Sequence, residues 1–283
     1  MKSPEPNSTP LVSICIPTYN GDAFLEEALQ SVSHQDYKNI ELIISDDDSS
    51  DDTLQIIEKF KQETEIPTML ISHIPKGIGS NWNNCVKHAK GSYIKFLFQD
   101  DVLLKSCVSE LVIALNTGSH DVQFSYCKKE LIGEFPAERQ FRENEIFEKY
   151  ASMSATQILK DPSLYSQPRN KIGEPVCVLF KKEVFEKVGW FDERLKQSLD
   201  YEFLYRIMSK FEIIAVPKVL VQFRVHQEQA SKFNNKEIVI DSYLLPKSLL
   251  QFSRKLHFKT RLTLYYKYIS GSILYFILRK FTA

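Results

Sequence analysis

The stretch Tyr93-Ile94-Lys95-Phe96-Leu97-Phe98-Gln99-Asp100-Asp101 restricts this chain more than any other, because a mostly apolar run after Gly91 stops on two adjacent carboxylates. A run of this length reads as a buried strand, and acids at its C-terminal end lie where open α/β sheets place ligands. Neighbouring carboxylates raise each other's pKa unless a cation or hydrogen-bond donors neutralise them. A hard divalent ion, Mg2+ or Mn2+, does this with one or two protein carboxylates and leaves its other positions to water and phosphate oxygens. The competing reading is that Asp100 or Asp101 caps a helix expected from Leu103 onward, since Asp is a favoured N-cap. From this stretch alone both readings stay open.

Upstream, residues 11–17 form an apolar, β-branched run ending at Pro17, followed by the turn-like Thr18-Tyr19-Asn20-Gly21. Phe24, Leu25, Ala28, Leu29 and Val32 then recur at helical spacing. Residues 40–44 make a second strand leading into Ser45-Asp46-Asp47-Asp48-Ser49-Ser50-Asp51-Asp52-Thr53, and Leu54, Ile56, Ile57 and Phe60 mark the buried side of the next helix. Asp51 and Asp52 read as cap and Asx-turn residues, whereas Asp46 and Asp47, nearer the strand end, can accept an N–H from a pyrimidine ring. Residues 68–74 form a third strand. The loop Lys76-Gly77-Ile78-Gly79-Ser80-Asn81 is neither GxGxxG nor GxxxxGK[ST], so the dinucleotide and P-loop fingerprints are absent. A helix from about Trp82 to Lys90 returns the chain to the acidic strand. This alternation predicts an α/β fold, with a doubly wound, mostly parallel sheet and helices on both faces.

Composition sets the outer limits. The 283 residues are 43% hydrophobic and 25% charged, enough core for one large domain with an appendage. A formal net charge of zero gives no field that would attract nucleic acid. Cys15, Cys85, Cys107, Cys127 and Cys177 are scattered without a CxxC pair and read as reduced core residues of a cytosolic protein. The polar N-terminus lacks a signal-peptide pattern, and no apolar run reaches the roughly 18 residues of a membrane span.

Beyond Asp101, an amphipathic helix over 103–115 and a strand over 122–127 precede residues 128–171, where periodicity is poor and Pro136, Pro162 and Pro168 interrupt. A long irregular segment inside a compact domain is usually functional or mobile. A strand over 176–180 and a helix over 182–188 follow. Ser198-Leu199-Asp200-Tyr201-Glu202 opens another helix with an apolar face of Phe203, Leu204, Ile207, Met208 and Phe211. Read by itself, Asp200 is an N-cap. A last strand over 219–225 delivers His226.

Taken together, Val12-Ser13-Ile14-Cys15-Ile16-Pro17-Thr18-Tyr19-Asn20, Ile43-Ile44-Ser45-Asp46-Asp47 with Ser49-Ser50-Asp51-Asp52-Thr53, residues 83–91, and Gln99-Asp100-Asp101 resemble the family 2 glycosyltransferases, inverting enzymes of the GT-A fold. Val188-Gly189-Trp190-Phe191-Asp192, Leu199-Asp200-Tyr201-Glu202 and Phe223-Arg224-Val225-His226 continue the resemblance, which spans about residues 11–231. It implies a UDP-sugar donor held by Pro17, Tyr19 against the base, Asp47 on the uracil N3–H, Lys76, Asn83 and Asp100. It implies Mn2+ or Mg2+ at Asp101 and His226, and Asp200 as the catalytic base, with Glu202 in reserve. Lys76 and Arg224 are candidates for the phosphates. Phe98 departs from the pattern, because many members carry a further Asp there, and metal affinity is expected to be modest.

Residues 1–231 are thus expected to form the GT-A domain and 232–283 a helical extension. Basic residues from Lys247 to Lys280 interleave with aromatic and aliphatic ones, and no acid follows Asp241. This pattern fits a membrane-surface helix, or a helix packed on the domain or on a second subunit. The expected acceptor is a saccharide or lipid-linked saccharide of cell-surface polysaccharide or glycolipid synthesis, and the expected location cytoplasmic, peripheral on the inner face of the membrane. The alternative function is a non-catalytic nucleotide-sugar-binding or assembly subunit of the same fold.

Overall fold

β1 (Val12–Thr18) and β2 (Ile40–Asp46) are buried at every residue, which is why they read as continuous apolar runs instead of alternating ones. The computed structural model describes residues 9–166, 170–227 and 238–281. β1 pairs in parallel with β2 on one side and with β4 (Tyr93–Phe96) on the other, and β2 pairs with β3 (Thr68–Ser72). Val12, Ile14, Ile16, Leu42 and Ile44 pack on one face against α1 (Leu25–Ser33) and α4 (Cys107–Thr117). Cys15, Ile43, Ile94 and Phe96 pack on the other against α3 (Ile78–His88) and α8 (Leu199–Met208). The helix α2 (Thr53–Glu63) connects β2 to β3.

The rest of the sheet is mixed. β5 (Val102–Leu103), β6 (Val122–Gly133), β7 (Val178–Lys181) and β8 (Glu212–Val225) complete the order β3-β2-β1-β4-β7-β6-β8-β5. β7 runs antiparallel to β4 and β6, β5 runs antiparallel to β8, and β6 and β8 are parallel. The chain winds outward from β1 in both directions, so the crevice at the C-terminal ends of β1 and β4 is the switch point where such sheets bind ligands. Pro17 sharpens it. Cys15 O accepts from Leu97 N at 3.0 Å, the next rung on that side falls to residue 17, and a proline has no N–H to give. The two strands part there.

Two expectations change. No helix starts at Leu103: Val102 and Leu103 pair with β8, and α4 begins at Cys107 with Ser106 as its N-cap, so neither Asp100 nor Asp101 caps a helix. Residues 128–159 are not irregular, because β6 runs on to Gly133 and α5 (Ala137–Ala151) and α6 (Ala155–Leu159) follow; the expected irregular segment is confined to the described residues after Leu159. α5 buries only Phe147 and Tyr150, too few apolar positions to show a helical stripe, and Pro136 occupies its N-cap, where a missing N–H is harmless. Pro168 lies outside the described residues. The boundary expected at 231/232 also lies outside them. α7 (Glu183–Val188) precedes α8, and α9 (Ile238–Leu250) packs on α8, with Leu245 and Leu249 entering the core. α10 (Phe258–Phe281) lies along α9. All five cysteines are buried and unpaired.

Candidate functional site

The loops after β1 and β2 are knitted into one wall of the crevice. Asp46 is spent on this: its oxygens accept from Thr18 Oγ1 at 2.7 Å and from Ser49 N and Oγ at 2.8 and 2.7 Å. Asn20, at φ 45°, accepts from Ser50 N at 2.9 Å and donates its own N–H to Ser49 Oγ at 2.8 Å. Asp51 accepts from the backbone N–H groups of Asp22 and Thr53, each at 3.1 Å, in the capping and turn role expected of it. Beside them Tyr19 is 57% exposed, its ring open to solvent. Asp47, next to Thr18 through Asp47 N to Thr18 O at 2.9 Å, sits at the same edge.

Asp47 has a partner that sequence reasoning did not identify. His73 Nδ1 lies 2.5 Å from Asp47 Oδ1, and Ser80 Oγ lies 3.4 Å from His73 Nε2. Burial raises the Asp47 pKa, and the hydrogen bond and charge of His73 oppose that. One carboxylate oxygen is therefore occupied, while Oδ2 meets no described residue at hydrogen-bond distance.

The acidic pair forms the floor. Gln99 reaches across the switch point, its Oε1 accepting from Tyr19 N at 2.9 Å and its Nε2 donating to Tyr19 O at 3.1 Å, like one rung of an extra strand. A Cβ on Gly21 would come within 2.5 Å of that amide, so a side chain there would push the amide off Tyr19. Asp101 is buried. Its Oδ1 accepts from Arg224 N at 2.9 Å, and its Oδ2 has no partner among the described residues. Burial, then the charge of Asp100, push its pKa well above the ordinary carboxylate range. Asp100 Oδ2 lies 3.0 Å from His226 Nε2, so the histidine engages Asp100 here. Arg224 is committed elsewhere than to a phosphate. It donates to Asp100 O at 2.9 Å, pairs with Glu27 at 2.5 Å and lies over the Phe24 ring at 4.6 Å. Phe98 stacks on Trp82 at 4.9 Å, which makes the departing position an apolar wall.

On the far side stands Asp200. It lies in the first turn of α8 but is not its N-cap. That position is Ser198, whose hydroxyl donates to Asp241 Oδ2 at 2.7 Å. Asn170 Nδ2 donates to Asp200 Oδ2 at 2.8 Å and to Gly173 O at 2.8 Å, while Asn170 Oδ1 accepts from Ile172 N and Gly173 N. Asp200 Oδ1 is buried without a partner among the described residues. Burial pushes the Asp200 pKa to about 7, Glu174 adds repulsion, and the Tyr201 N–H and Asn170 pull the other way. Burial also works against the charge on Glu174, but Lys129, paired with Glu174 and with Glu143 at 3.3 Å, holds Glu174 below its usual value. The same Glu174 charge raises Asp101. The two orphaned carboxylates thus share an anionic neighbour, and a cavity of about 70 Å³ lined by Asn170, Glu174 and Lys129 opens beside it.

The remaining expected residues divide. Asn83 is a structural pin: its amide donates to Phe191 O and Glu193 Oε1, each at 3.0 Å, and accepts from Phe191 N at 3.1 Å, leaving nothing for a ligand. Glu202 is consumed by Arg206 at 2.8 Å and by Ser248, which removes it as a reserve base. Lys76 is exposed on the rim, and Pro17 shapes the strand end without a polar contact. Among the described residues no group of three or more His, Cys, Asp or Glu side chains converges to hold a metal. The orphaned oxygen of Asp101 still suits an ion that takes one or two protein ligands and draws the rest from phosphate and water.

Comparison with known proteins gives a consistent picture. Residues 13–189 match the family described as Glycosyl transferase family 2. An uncharacterized glycosyltransferase of Rickettsia prowazekii is 30% identical over 226 residues, covering 79% of this chain and 66% of that protein. This chain therefore spans just under two thirds of that relative's length. A GalNAc(5)-diNAcBac-PP-undecaprenol beta-1,3-glucosyltransferase of Campylobacter jejuni is 35% identical over 145 residues, 50% of this chain and 47% of its own. Among solved structures, S. aureus TarS 1-349 in complex with UDP-GlcNAc superposes with a TM-score of 0.66 at 18% identity, covering 87% of this chain and 70% of that one. The mannosyltransferase PcManGT of Pyrobaculum calidifontis, in complex with GDP-Man and Mn2+, gives 0.65 at 17% identity, covering 96% and 75%.

Proposed function

Because the chain belongs to glycosyl transferase family 2 and carries the GT-A fold, we propose that it moves a sugar from a UDP-sugar to the hydroxyl of a saccharide or lipid-linked saccharide, with inversion, at the cytoplasmic face of a membrane. The observation that carries this reading is the pair of buried acids, Asp101 and Asp200, each with an oxygen that has no partner among the described residues, and each raised in pKa chiefly by burial, with the charge of Asp100 on Asp101 and of Glu174 on both adding to it.

The roles follow from chemistry. Tyr19 stacks on the base, and Asp47 Oδ2 accepts the uracil N3–H. Asp47 Oδ1 is occupied by His73, so a single acceptor faces the base. Uracil presents one imino N–H flanked by carbonyls, whereas guanine presents N1–H and an exocyclic amine side by side and is best met by both oxygens of a carboxylate. The geometry therefore favours UDP over the GDP carried by the Pyrobaculum neighbour's donor. Asp101, with His226 released from Asp100, would hold Mn2+ or Mg2+. Such an ion supplies positive charge to a departing diphosphate. Asp200 Oδ1 takes the proton of the acceptor hydroxyl as its oxygen bonds to the anomeric carbon. The bond from that carbon to the diphosphate breaks on the opposite face, and UDP leaves with the electron pair. A base whose pKa sits near neutrality is matched to this task.

A panel of UDP- and GDP-sugars, each with and without Mn2+, tests the reading by protection against thermal unfolding and by turnover. A UDP-sugar is expected to raise the melting temperature and GDP-mannose to leave it unchanged. Asp200→Asn is expected to keep the UDP-sugar stabilisation and lose about 100-fold or more in turnover. Undiminished turnover in that variant would sink the base assignment. Donor stabilisation without turnover in the wild-type chain, with any acceptor, would favour a binding subunit.

A further inference from the structure

One face of α10 has no partner among the described residues. Phe258, Leu262, Tyr265, Tyr266, Ile269 and Ile273 are 51–73% exposed and recur at helical spacing, forming a stripe about 100° wide. The opposite face is fixed against α9. Thr260, Leu264 and Gly271 are buried, Tyr243 and Tyr268 stack at 5.5 Å, and a Cβ on Gly271 would lie 2.7 Å from Ser242 O. The stripe cannot turn inward without unpacking that contact. Lys259 borders it on one side and Arg261 on the other, Arg254 and Lys255 lie just before the helix, and no Asp or Glu follows Asp241. No helix among the described residues is long and apolar enough to cross a membrane.

We propose that this stripe docks the protein flat on an anionic lipid bilayer. An amphipathic helix with aromatic and aliphatic residues on one face and basic residues at its margins buries that face at the headgroup boundary. Each basic residue near an anionic surface adds roughly fivefold to partitioning. Charge decides between occupants: α10 of a second copy carries no acid to meet Lys259 and Arg261, whereas anionic headgroups neutralise them. The docked helix is two steps from the site. α10 packs on α9, and Asp241 of α9 accepts from Lys196 N and Gln197 N at 2.8 Å and from Ser198 Oγ, two residues before Asp200. The inference rests on α10 and not on the reaction proposed above, and vesicle binding needs no donor, so each can fail alone.

The test is co-sedimentation of the full chain with vesicles of phosphatidylcholine containing about one third phosphatidylglycerol, or of phosphatidylcholine alone. About tenfold stronger binding to the anionic vesicles is expected at low salt, weakening as salt screens the headgroups. Leu262→Glu with Ile269→Glu is expected to abolish binding while the melting temperature and donor stabilisation stay unchanged. Lys259→Ser with Arg261→Ser is expected to lose the preference for anionic vesicles. Three outcomes would overturn the proposal: a wild-type chain that stays in the supernatant with both vesicle types, binding that survives the double Glu variant, or a wild-type dimer that this variant splits.

Discussion

At the scale of single residues, Asp200 is set by two opposed forces. Burial favours the neutral acid, the Tyr201 N–H and Asn170 favour the anion, and the balance lies at about 7. If its anion removes the acceptor proton, turnover rises with pH through about 7 and is flat above it. Asn170→Ala removes a donor to the anion, so the acid limb is expected to move to higher pH, which loss of loop packing alone would not do. A pH profile of kcat in the two proteins decides. The same shift has a consequence for stability. The folded-state pKa is above the unfolded value of 3.8, so folding favours the protonated form, and stability falls as pH rises from about 4 toward 7. Asp200→Asn escapes this. Relative to wild type it is expected to gain stability across that window, reaching roughly 4 kcal/mol above pH 7, with no gain at pH 3. Denaturant melts at the two pH values measure it.

At the scale of elements, what could be read in advance was what leaves a pattern along the chain. β1, β2 and β4 announced themselves as apolar runs, and Asp47, Asp100, Asp101 and Asp200 as acids at element ends. β5 was missed because two residues carry no period, and α5 because a helix exposed on most of its surface has no apolar stripe. The contacts of His73, Asn170 and Gln99 were missed for another reason. Each residue acts through a partner between 26 and 80 positions away, and nothing local marks an amide or imidazole that will be used in this way. Gln99 shows what such a residue contributes. Its amide ties the loop after β1 to the loop after β4 by two hydrogen bonds to Tyr19, each worth about 1 kcal/mol. Gln99→Ala is expected to weaken UDP-sugar affinity about tenfold by freeing Tyr19, while the melting temperature drops only slightly. Calorimetric titration with the donor checks it, and an unchanged affinity would show that the tie is not needed to position the base platform.

At the scale of the whole molecule, the parallel half of the sheet, β3-β2-β1-β4, would present the donor side of the proposed reaction, and the mixed half with α8 carries Asp200, its proposed base. What keeps Asp200 in register is a contact from far down the chain. Asp241 is buried and accepts hydrogen bonds from Lys196 N, Gln197 N and Ser198 Oγ, tying the segment that leads into α8 to α9. Truncating it leaves two backbone N–H groups and a hydroxyl without their acceptor inside the protein. That is expected to cost about 3 kcal/mol. The loss should not fall evenly on function. Among the described residues, Tyr19, Asp47 and Gln99, the proposed donor platform, make no hydrogen bond to this segment, so Asp241→Ala is expected to leave donor stabilisation intact. Asp200 follows the freed segment directly, and a base displaced by a fraction of an ångström loses its alignment with the acceptor hydroxyl. kcat is therefore expected to fall at least tenfold with the KM for donor unchanged, measured well below the lowered melting temperature. Asp241→Asn, which keeps one carbonyl acceptor, should recover part of both. Equal losses in donor affinity and kcat would show instead that α9 supports the fold as a whole and not the placement of Asp200.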